Sequence, residues 1–205
     1  MQLYFSPGAC SLASHIALRE AGLSFDLKRA DVKTKKLEDG SDYFAVNSKG
    51  AVPALRLNDG QVLTEGPAIL QYIADQKPDS KLAPKAGTLE RYRLLEWLNF
   101  ITSEVHKGFS PLFNPTASDD VKAYAKKNVE SRFDWLNKQL TGKQYLTGDS
   151  FTIADAYLFV VANWSSHVGI DLSKWPALQA FQGRVAARAK VQEALEAEGL
   201  LKKAA

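Results

Sequence analysis

The first 78 residues alternate between short runs with strand-like spacing and longer runs with helical spacing. Period-two patterning predicts strands at "QLYFS" and "SFDLKRADV", and two further short strands flank the hairpin signal Asn58-Asp59-Gly60. The segment "SLASHIALREAG" is typical of a helix, with Ser11 as its N-cap and Gly22 as its stop. A second helix, "PAILQYIADQKP", begins at Pro67. Strand, helix and strand in this order predict a parallel pair joined by a right-handed crossover.

From residue 88 onward the apolar positions recur with helical spacing. Two sets follow i, i+4, i+7 and i+11, namely Leu94, Leu98, Ile101 and Val105, and Val129, Phe133, Leu136 and Leu140. The run "TIADAYLFVVANW" is apolar nearly all round, which predicts a helix at the centre of a bundle. Thr152 and Asp155 have the spacing of a capping box at its start. Later helices are predicted after Trp175-Pro176 and up to Gly199.

These patterns predict two domains of different class. Residues 1–78 form an α/β domain and residues 88–205 an all-helical domain. Residues 79–87, "DSKLAPKAG", are polar and contain Pro84 and Gly87, as expected of a linker.

Composition narrows the class of protein without indicating its chemistry. The chain of 205 residues is 45% apolar and 24% charged, with a net charge of +3 and no basic stripe that would suit nucleic acid. The longest apolar run, Ala156 to Ala162, is far shorter than the ~20 residues needed to span a bilayer. The N-terminus lacks a secretory pattern, and a lone cysteine fits a reducing compartment. We therefore expect a cytoplasmic protein with no nucleic-acid, membrane or metal partner.

The lone cysteine, Cys10, directly precedes the first predicted helix. If Ser11 caps that helix, unsatisfied backbone N–H groups and the helix dipole would stabilise a thiolate there. Lowering a thiol pKa by two units takes about 2.7 kcal/mol, whereas a helix terminus supplies at most about 2 kcal/mol. A reactive Cys10 would therefore need a second donor or a cation. The alternative is that Cys10 is a small buried filler.

Three other segments offer groups that could assist a thiol or bind a ligand. Asn99, Ser103 and His106 form a polar line along a predicted helix, which is either a solvated face or the wall of a cleft. A histidine in a cleft could donate to a thiolate or accept a proton from a thiol. Glu65 and Gly66 stand at a helix entry, where a ligand with a carboxylate and an ammonium group would fit.

The third segment is "GAVPAL", in which Pro53 stands at the mouth of a strand. A cis bond before Pro53 would leave the backbone groups of Val52 free for a peptide-like ligand. Only about 5–6% of X–Pro bonds are cis, so the residues alone leave this open.

Taken together, five segments resemble the bacterial beta-class glutathione transferases in order and spacing. They are "SPGACSLASHIALRE", "NSKGAVPAL", "LTEGPAILQYIAD", "EWLNF…SEVHKGFSPLF" and "FTIADAYLF". The resemblance covers essentially the whole chain. It implies a thioredoxin-like N-terminal domain, an all-α helical-bundle C-terminal domain and a homodimer. It also implies one glutathione site per subunit, in the cleft between the domains.

The resemblance assigns roles to individual positions. Cys10 matches the cysteine that faces the glutathione sulfur, and His106 matches the histidine near that sulfur. Val52, next to a cis proline at Pro53, matches the backbone that pairs with the cysteinyl part, and Glu65 and Gly66 match the pair that holds the γ-glutamyl end. Further polar contacts, some from the partner subunit, are implied at Lys35, Asn99, Ser103, Glu104 and Lys107.

Two positions depart from the wider family of cytosolic glutathione transferases. Many of these proteins have a serine where Gly66 stands, so only a backbone N–H remains here. Many also activate the thiol with a tyrosine or serine hydroxyl near the first strand, but Phe5 has none and Tyr4 should point to the opposite face of the strand. Cys10, assisted by His106, remains the stronger candidate, with Ser11 as a further hydroxyl donor.

The leading hypothesis is an enzyme that joins glutathione to hydrophobic electrophiles, with Phe109, Phe113 and Trp164 as an apolar wall or, alternatively, as simple core residues. A second hypothesis is glutathione-dependent thiol–disulfide exchange. Position 13 is alanine, so any disulfide at Cys10 must be mixed. A reductive dehalogenase using such a mixed disulfide is a related option. The third hypothesis is a non-catalytic carrier or scaffold, because fold does not fix function.

Overall fold

The computed structural model describes residues 1–201, which divide into two compact units. The first unit comprises Met1–Ala83 together with the residues from Ala187 onward, and the second comprises Pro84–Ala186. The sequence-based division assigned all of 88–205 to one helical domain, whereas the last helix groups with the first unit. Residues 202–205 of that predicted domain lie outside the described residues.

A mixed sheet forms the first unit, with the strands β1 (Gln2–Phe5), β2 (Asp26–Asp31), β3 (Lys36–Leu37), β4 (Ala54–Arg56) and β5 (Val62–Thr64). Its order is β3-β2-β1-β4-β5, with β1 and β2 parallel and the other neighbours antiparallel. The predicted parallel pair and hairpin are confirmed. Only the two-residue β3 was not predicted, because it is too short to show an alternating pattern.

The helices of the first unit are α1 (Ser11–Glu20), α2 (Gly66–Gln76) and, from the end of the chain, α8 (Ala189–Ala197). Helix α1 connects β1 to β2 and packs against α2 and α8. Leu3 on β1 is fully buried, while Tyr4 packs on the other side with Tyr43, Ala30 and Ala54. Strands and helices in this order form the expected thioredoxin-like domain.

A buried hydrogen-bond network attaches the end of α8 to the loop before α1. The carboxylate of Glu198 accepts hydrogen bonds from the Gly8 N–H and from His15 Nδ1, each at 2.9 Å. Arg19 Nε donates to the other ring nitrogen of His15 at 2.8 Å. Both His15 and Glu198 are buried, so their polar atoms need these partners. The network therefore explains why the last helix groups with the first unit.

The second unit is all-helical, with α3 (Leu89–Phe100), α4 (Lys107–Phe113), α5 (Asp119–Leu140), α6 (Ile153–Asn163) and α7 (Pro176–Ala186). A π-helical segment, Ile101–His106, joins α3 to α4. The apolar positions predicted on α3, the π segment and α5 are all buried, and α6 is buried from Ile153 to Ala162, as its pattern predicted. Helix α6 packs against α3, α7 and the π segment.

Asp155 forms the predicted capping box at the start of α6. One of its oxygens accepts from the Thr152 N–H at 2.8 Å, and the other accepts from the Leu146 N–H at the same distance. Asp155 therefore joins the α5–α6 connection to the central helix.

Among the described residues, no helix combines the length and apolar character needed to cross a lipid bilayer.

Candidate active site

Cys10 occupies the N-cap position of α1, and Ser11 is the first residue of the helix. The prediction that Ser11 is the N-cap was therefore wrong by one residue. Ser11 Oγ instead accepts from the Ser6 N–H at 3.2 Å and lies 3.3 Å from the Ser6 carbonyl oxygen. The Ser11 hydroxyl thus holds the loop that leads from β1 to Cys10, which explains why a serine is useful at that position.

The partly buried thiol of Cys10 donates a hydrogen bond to the Val52 carbonyl oxygen, with Sγ and O 3.1 Å apart. Two first-turn N–H groups, those of Leu12 and Ala13, are bonded to the carbonyls of Ala9 and Cys10. We expected these N–H groups to be unsatisfied, but both are hydrogen-bonded to backbone carbonyls. A negatively charged sulfur would be repelled by a carbonyl oxygen, so the contact with Val52 belongs to the protonated thiol.

The Val52–Pro53 peptide bond is cis, as the resemblance implied, and Pro53 is buried directly before β4. Ala51 directly precedes Val52, and its carbonyl accepts hydrogen bonds from the Tyr43 hydroxyl at 2.8 Å and from Asn47 Nδ2 at 2.7 Å. Burial raises the pKa of Tyr43 to about 12, so its hydroxyl stays a donor at neutral pH. The segment that carries Val52 is therefore fixed by two buried donors.

Lys35 contributes to the same segment of the first unit. Its Nζ donates to the Gly50 carbonyl at 2.8 Å, and its backbone has a positive φ of 59°. Gly50 also has a positive φ, and a Cβ placed there would lie 2.8 Å from the ring of Phe44. Lys35 thus holds the loop before Val52 in this structure, a role that sequence reasoning did not assign to it.

Glu65 directly precedes α2 and has an unusual backbone, with φ at 71°. Positive φ in a residue with a side chain is uncommon and often marks a functional position. The exposed carboxylate of Glu65 pairs with Lys49 Nζ, which also donates to Thr64 Oγ1 at 2.9 Å. Gly66 is the first residue of α2, and no heavy atom lies within 4 Å of the position of a Cβ there.

His106 ends the π segment of the second unit and is partly buried. Its Nδ1 lies 2.6 Å from the Tyr157 hydroxyl, and its ring contacts Trp164 edge-on with centroids 4.9 Å apart. Burial lowers the pKa of His106 to about 4, with a smaller contribution from the positive charge of Lys107. The imidazole is therefore neutral at physiological pH. Sequence reasoning missed Tyr157 because α6 is apolar all round.

The other polar candidates of the second unit lie at its surface. Asn99, Ser103, Glu104 and Lys107 are exposed. Ser103 Oγ donates to the Asn99 carbonyl at 3.0 Å, and the Glu104 carboxylate pairs with Arg132 at 2.7 Å. The predicted polar line therefore holds for Asn99 and Ser103 but not for His106, whose side chain packs against Tyr157 and Trp164. The wider turn of the π segment changes the side-chain spacing there.

The three aromatic residues predicted as an apolar wall are in mutual contact. Trp164 meets Phe109 and Phe113 edge-on, with centroids 5.8 Å apart in both pairs. Phe109 is fully buried and also contacts Phe133, so it has no surface to offer a ligand and belongs to the core. Phe113 is 48% exposed and Trp164 is partly exposed, so these two retain an accessible apolar surface.

The buried state of His106 predicts a specific loss of stability in acid. Its pKa is about 4 in the folded protein against 6.5 in the unfolded chain, so the unfolded chain binds the proton more tightly. Stability must then fall as pH drops below 6.5 and level off below 4. Between pH 7.5 and 5, we expect the wild type to lose about 2 kcal/mol relative to His106→Gln. Urea unfolding of both proteins at the two pH values measures this difference, and parallel pH dependences would contradict it.

Within residues 1–201, no group of three or more His, Cys, Asp or Glu side chains is arranged to hold a metal ion. In the first unit, Cys10 lies beside Val52, which is joined to Pro53, and Glu65 and Gly66 stand separately at the start of α2. The second unit brings together His106, Tyr157, Trp164 and Phe113.

Two family models match the chain. The model for the glutathione S-transferase N-terminal domain matches residues 8–76, and the model for the C-terminal domain matches residues 100–189. A glutathione S-transferase of Escherichia coli O157:H7 is 49% identical over 200 residues, which are 98% of this chain and 100% of the relative. The two halves therefore match one family in the order in which they occur in its members.

Solved structures agree with these matches. A sphingomonad glutathione S-transferase complexed with glutathione is 51% identical and superposes with a TM-score of 0.95. The match covers 98% of this chain and 100% of that structure's chain. A bacterial beta-class glutathione S-transferase of Sphingomonas chungbukensis is 54% identical, has a TM-score of 0.96 and the same coverage. The chain therefore belongs to the glutathione S-transferase family, as an enzyme of its bacterial beta class.

Proposed function

We propose that this enzyme transfers reduced glutathione to hydrophobic electrophiles, and that Cys10 adds a glutathione-dependent thiol–disulfide exchange. The observation that carries the proposal is the hydrogen bond from Cys10 Sγ to the Val52 carbonyl. It holds the thiol beside Val52, whose backbone is expected to pair with the cysteinyl part of glutathione. The sphingomonad relative, which is complexed with glutathione, supports this choice of substrate.

Glutathione would use the groups of the first unit according to charge. Its ammonium group would bind the Glu65 carboxylate, and the carboxylate at the same end would bind the N–H of Gly66 at the start of α2. Lys49, which pairs with one oxygen of Glu65 in this structure, would then share the carboxylate or be displaced from it. The cysteinyl N–H would compete with the Cys10 thiol for the Val52 carbonyl. Binding would thereby release the Cys10 sulfur from its backbone contact.

Lys35, Asn99, Ser103, Glu104 and Lys107 remain proposed glutathione contacts. Lys35 and Glu104 have partners of their own, Gly50 and Arg132, which a ligand would have to share or displace. Ser103 and Asn99 are exposed, and the Ser103 hydroxyl, which donates to the Asn99 carbonyl, can still accept a hydrogen bond from a ligand.

In conjugation, the glutathione thiolate forms a bond to an electrophilic carbon, and the leaving group departs with its electron pair. The protein supplies position and electrostatic stabilisation, because the attacking sulfur belongs to glutathione. His106, neutral at pH 7, would stabilise that sulfur by hydrogen bonding. Phe113 and Trp164 would present the apolar surface for the second substrate.

In disulfide exchange, the Cys10 thiolate attacks a substrate disulfide and releases one thiolate, which leaves a mixed disulfide on the protein. A glutathione thiolate then resolves the mixed disulfide and restores Cys10. The chain has one cysteine, so no second thiol of the protein can resolve the mixed disulfide. A reductive dehalogenase, the related option, would also use a mixed disulfide at Cys10. The carrier hypothesis is disfavoured, because Cys10 and the polar groups expected to bind glutathione are all retained.

The enzyme is proposed to act as a homodimer in the cytoplasm. Helix α3 leaves Leu89 and Tyr92 64% and 59% exposed, and Trp135 on α5 is 41% exposed. The two helices are in contact through the rings of Trp97 and Trp135, and large apolar residues exposed on such helices are typical of an interaction surface. Light scattering should therefore give a mass of twice 22.6 kDa, and a mass of 22.6 kDa would contradict the dimer.

The central test combines binding with catalysis. The protein should be retained on immobilised glutathione and released by free glutathione, and flow-through without retention would count against every glutathione hypothesis. A panel of aromatic and aliphatic electrophiles, assayed together with mixed disulfides, then measures both activities.

His106→Ala should lower the rate of conjugation and shift the pH profile of that rate upward. An unchanged profile would reduce His106 to a structural residue.

Gly66 offers a substitution that should improve glutathione binding. Gly66→Ser places a hydroxyl where many cytosolic glutathione transferases have one, and the site has room for it. A hydrogen bond to a charged carboxylate is worth about 1.5 kcal/mol, so we expect KM for glutathione to fall about tenfold. Gly66→Ala is the matched control, because it adds a Cβ at the same position without a hydrogen-bond donor. Equal KM values for the two variants would contradict the prediction.

A further inference from the structure

The hydroxyl of Tyr157 is the hydrogen-bond partner of His106 within the second unit. The oxygen lies 2.6 Å from Nδ1, although the two residues are 51 positions apart in the sequence. Tyr157 is buried in α6, whose described residues from Ile153 to Ala162 are otherwise almost all apolar. A phenol hydroxyl in such a place needs a hydrogen-bond partner, and an apolar residue would fill the space equally well. The hydroxyl therefore requires an explanation beyond packing.

The ring of His106 is held on two sides. Tyr157 meets it edge-on with centroids 5.8 Å apart and an interplanar angle of 86°, and Trp164 meets it at 4.9 Å and 70°. His106 also ends the π-helical segment Ile101–His106, and such segments occur frequently at functional sites. The orientation of the imidazole is thus restricted by its neighbours, and Nδ1 is directed at the phenol.

We propose that Tyr157 is a positioning residue that donates its hydroxyl proton to His106 Nδ1 and thereby fixes the ring proton on Nε2. A neutral imidazole has one donor and one acceptor nitrogen, so occupying Nδ1 as the acceptor leaves Nε2 as the donor. The phenol is the stronger acid of the two groups and the ring nitrogen the stronger base, which sets the direction of the bond. Burial, which keeps His106 neutral at physiological pH, supports this assignment.

The inference rests on the proposed role of His106 and makes that role more specific. Sequence reasoning left two options, in which the histidine either donates to a thiolate or accepts a proton from a thiol. A ring protonated only on Nε2 is a donor through that nitrogen and cannot act there as a base. His106 would therefore stabilise developing negative charge on sulfur and would not deprotonate the thiol.

Tautomer and kinetics together test the inference. In protein labelled with ¹⁵N-histidine, two-bond ¹H–¹⁵N spectra distinguish the tautomers, and the spectrum of His106→Gln identifies His106 among the three histidines. We expect Nε2–H alone in the wild type at pH 7.5 and a mixture of tautomers in Tyr157→Phe. Conjugation in Tyr157→Phe should show kcat about tenfold lower with KM for glutathione unchanged, as expected for one lost hydrogen bond.

Tyr145→Phe is the matched control, because Tyr145 is another buried tyrosine of the second unit. It should leave both the His106 spectrum and kcat unchanged, which separates loss of the Tyr157 hydroxyl from a general effect on packing.

An Nδ1–H tautomer in the wild type, or an unchanged tautomer in Tyr157→Phe, would overturn the inference. So would unchanged kcat in Tyr157→Phe when His106→Ala is impaired. Full activity of His106→Ala would instead remove the proposed role of His106, while the spectra still report whether Tyr157 sets its tautomer.

Discussion

Cys10→Ala is expected to reduce glutathione-dependent disulfide exchange to the uncatalysed rate while conjugation persists in part. Exchange requires a protein sulfur that enters a mixed disulfide, and the chain has no second cysteine to replace Cys10. Removing a sole nucleophile costs at least roughly a thousandfold in rate. Conjugation uses the sulfur of glutathione, so it loses only what Cys10 contributes to positioning. Parallel assays with a mixed disulfide and with an aromatic electrophile measure the two rates.

Cys10→Ser is the control for the contact with Val52. A serine hydroxyl can still donate to the Val52 carbonyl, which the Cys10 thiol does at 3.1 Å, but it cannot form a disulfide. Both variants should therefore lack exchange, and only the difference in their conjugation rates reports the contact. Exchange at the wild-type rate in either variant would remove Cys10 from the mechanism.

Asp155→Ala is expected to produce the largest loss of stability. Asp155 is fully buried and accepts hydrogen bonds from the backbone N–H groups of Leu146 and Thr152 and from the Thr152 hydroxyl. Alanine leaves two buried N–H groups without an acceptor, each at a cost of about 1–3 kcal/mol. We expect the free energy of unfolding to fall by about 3–5 kcal/mol in total, a large part of the usual stability of a domain. Urea unfolding of the purified variant measures this loss.

Asp155→Asn provides the comparison, because asparagine keeps one acceptor oxygen and should recover part of the loss. Burial raises the pKa of Asp155 to about 6, against 3.8 in the unfolded chain. The folded protein therefore binds this proton more tightly, so the wild type should gain stability relative to Asp155→Asn as pH falls through 6. The gain is about 1 kcal/mol between pH 7.5 and 5, and levels off below 3.8. An alanine variant as stable as the wild type would show that the N–H groups find other acceptors.

Local patterns predicted the elements of both units. The burial of every apolar position predicted on α3 and α5 shows that a 3.6-residue period is a reliable signal where one face packs. The capping box of Thr152 and Asp155 was also recognisable, because its two residues are only three positions apart. The N-cap of α1 was misplaced by one residue, since Cys10 has helical dihedral angles that its neighbours in sequence do not reveal.

The candidate site was predicted less completely. Cys10, Val52, Glu65 and His106 were identified by residue type or by resemblance to a family, but the contacts that they make within the folded chain were not. Lys49 lies 16 residues from Glu65, Val52 lies 42 residues from Cys10, and Tyr157 lies 51 residues from His106. No local pattern encodes such separations. Phe109 was a candidate for the ligand surface until its complete burial excluded it.

The sequence by itself determined the order of the elements, the class of each domain, the family and the position of the only thiol. These depend on residue type, period and spacing along the chain, all of which are local. Only the tertiary structure decided that the Cys10 thiol bonds to the Val52 carbonyl, that His106 faces Tyr157, and that Glu198 joins the last helix to the first unit. Such contacts are chosen by packing and by the need of each buried polar group for a partner, and that choice involves the whole folded chain.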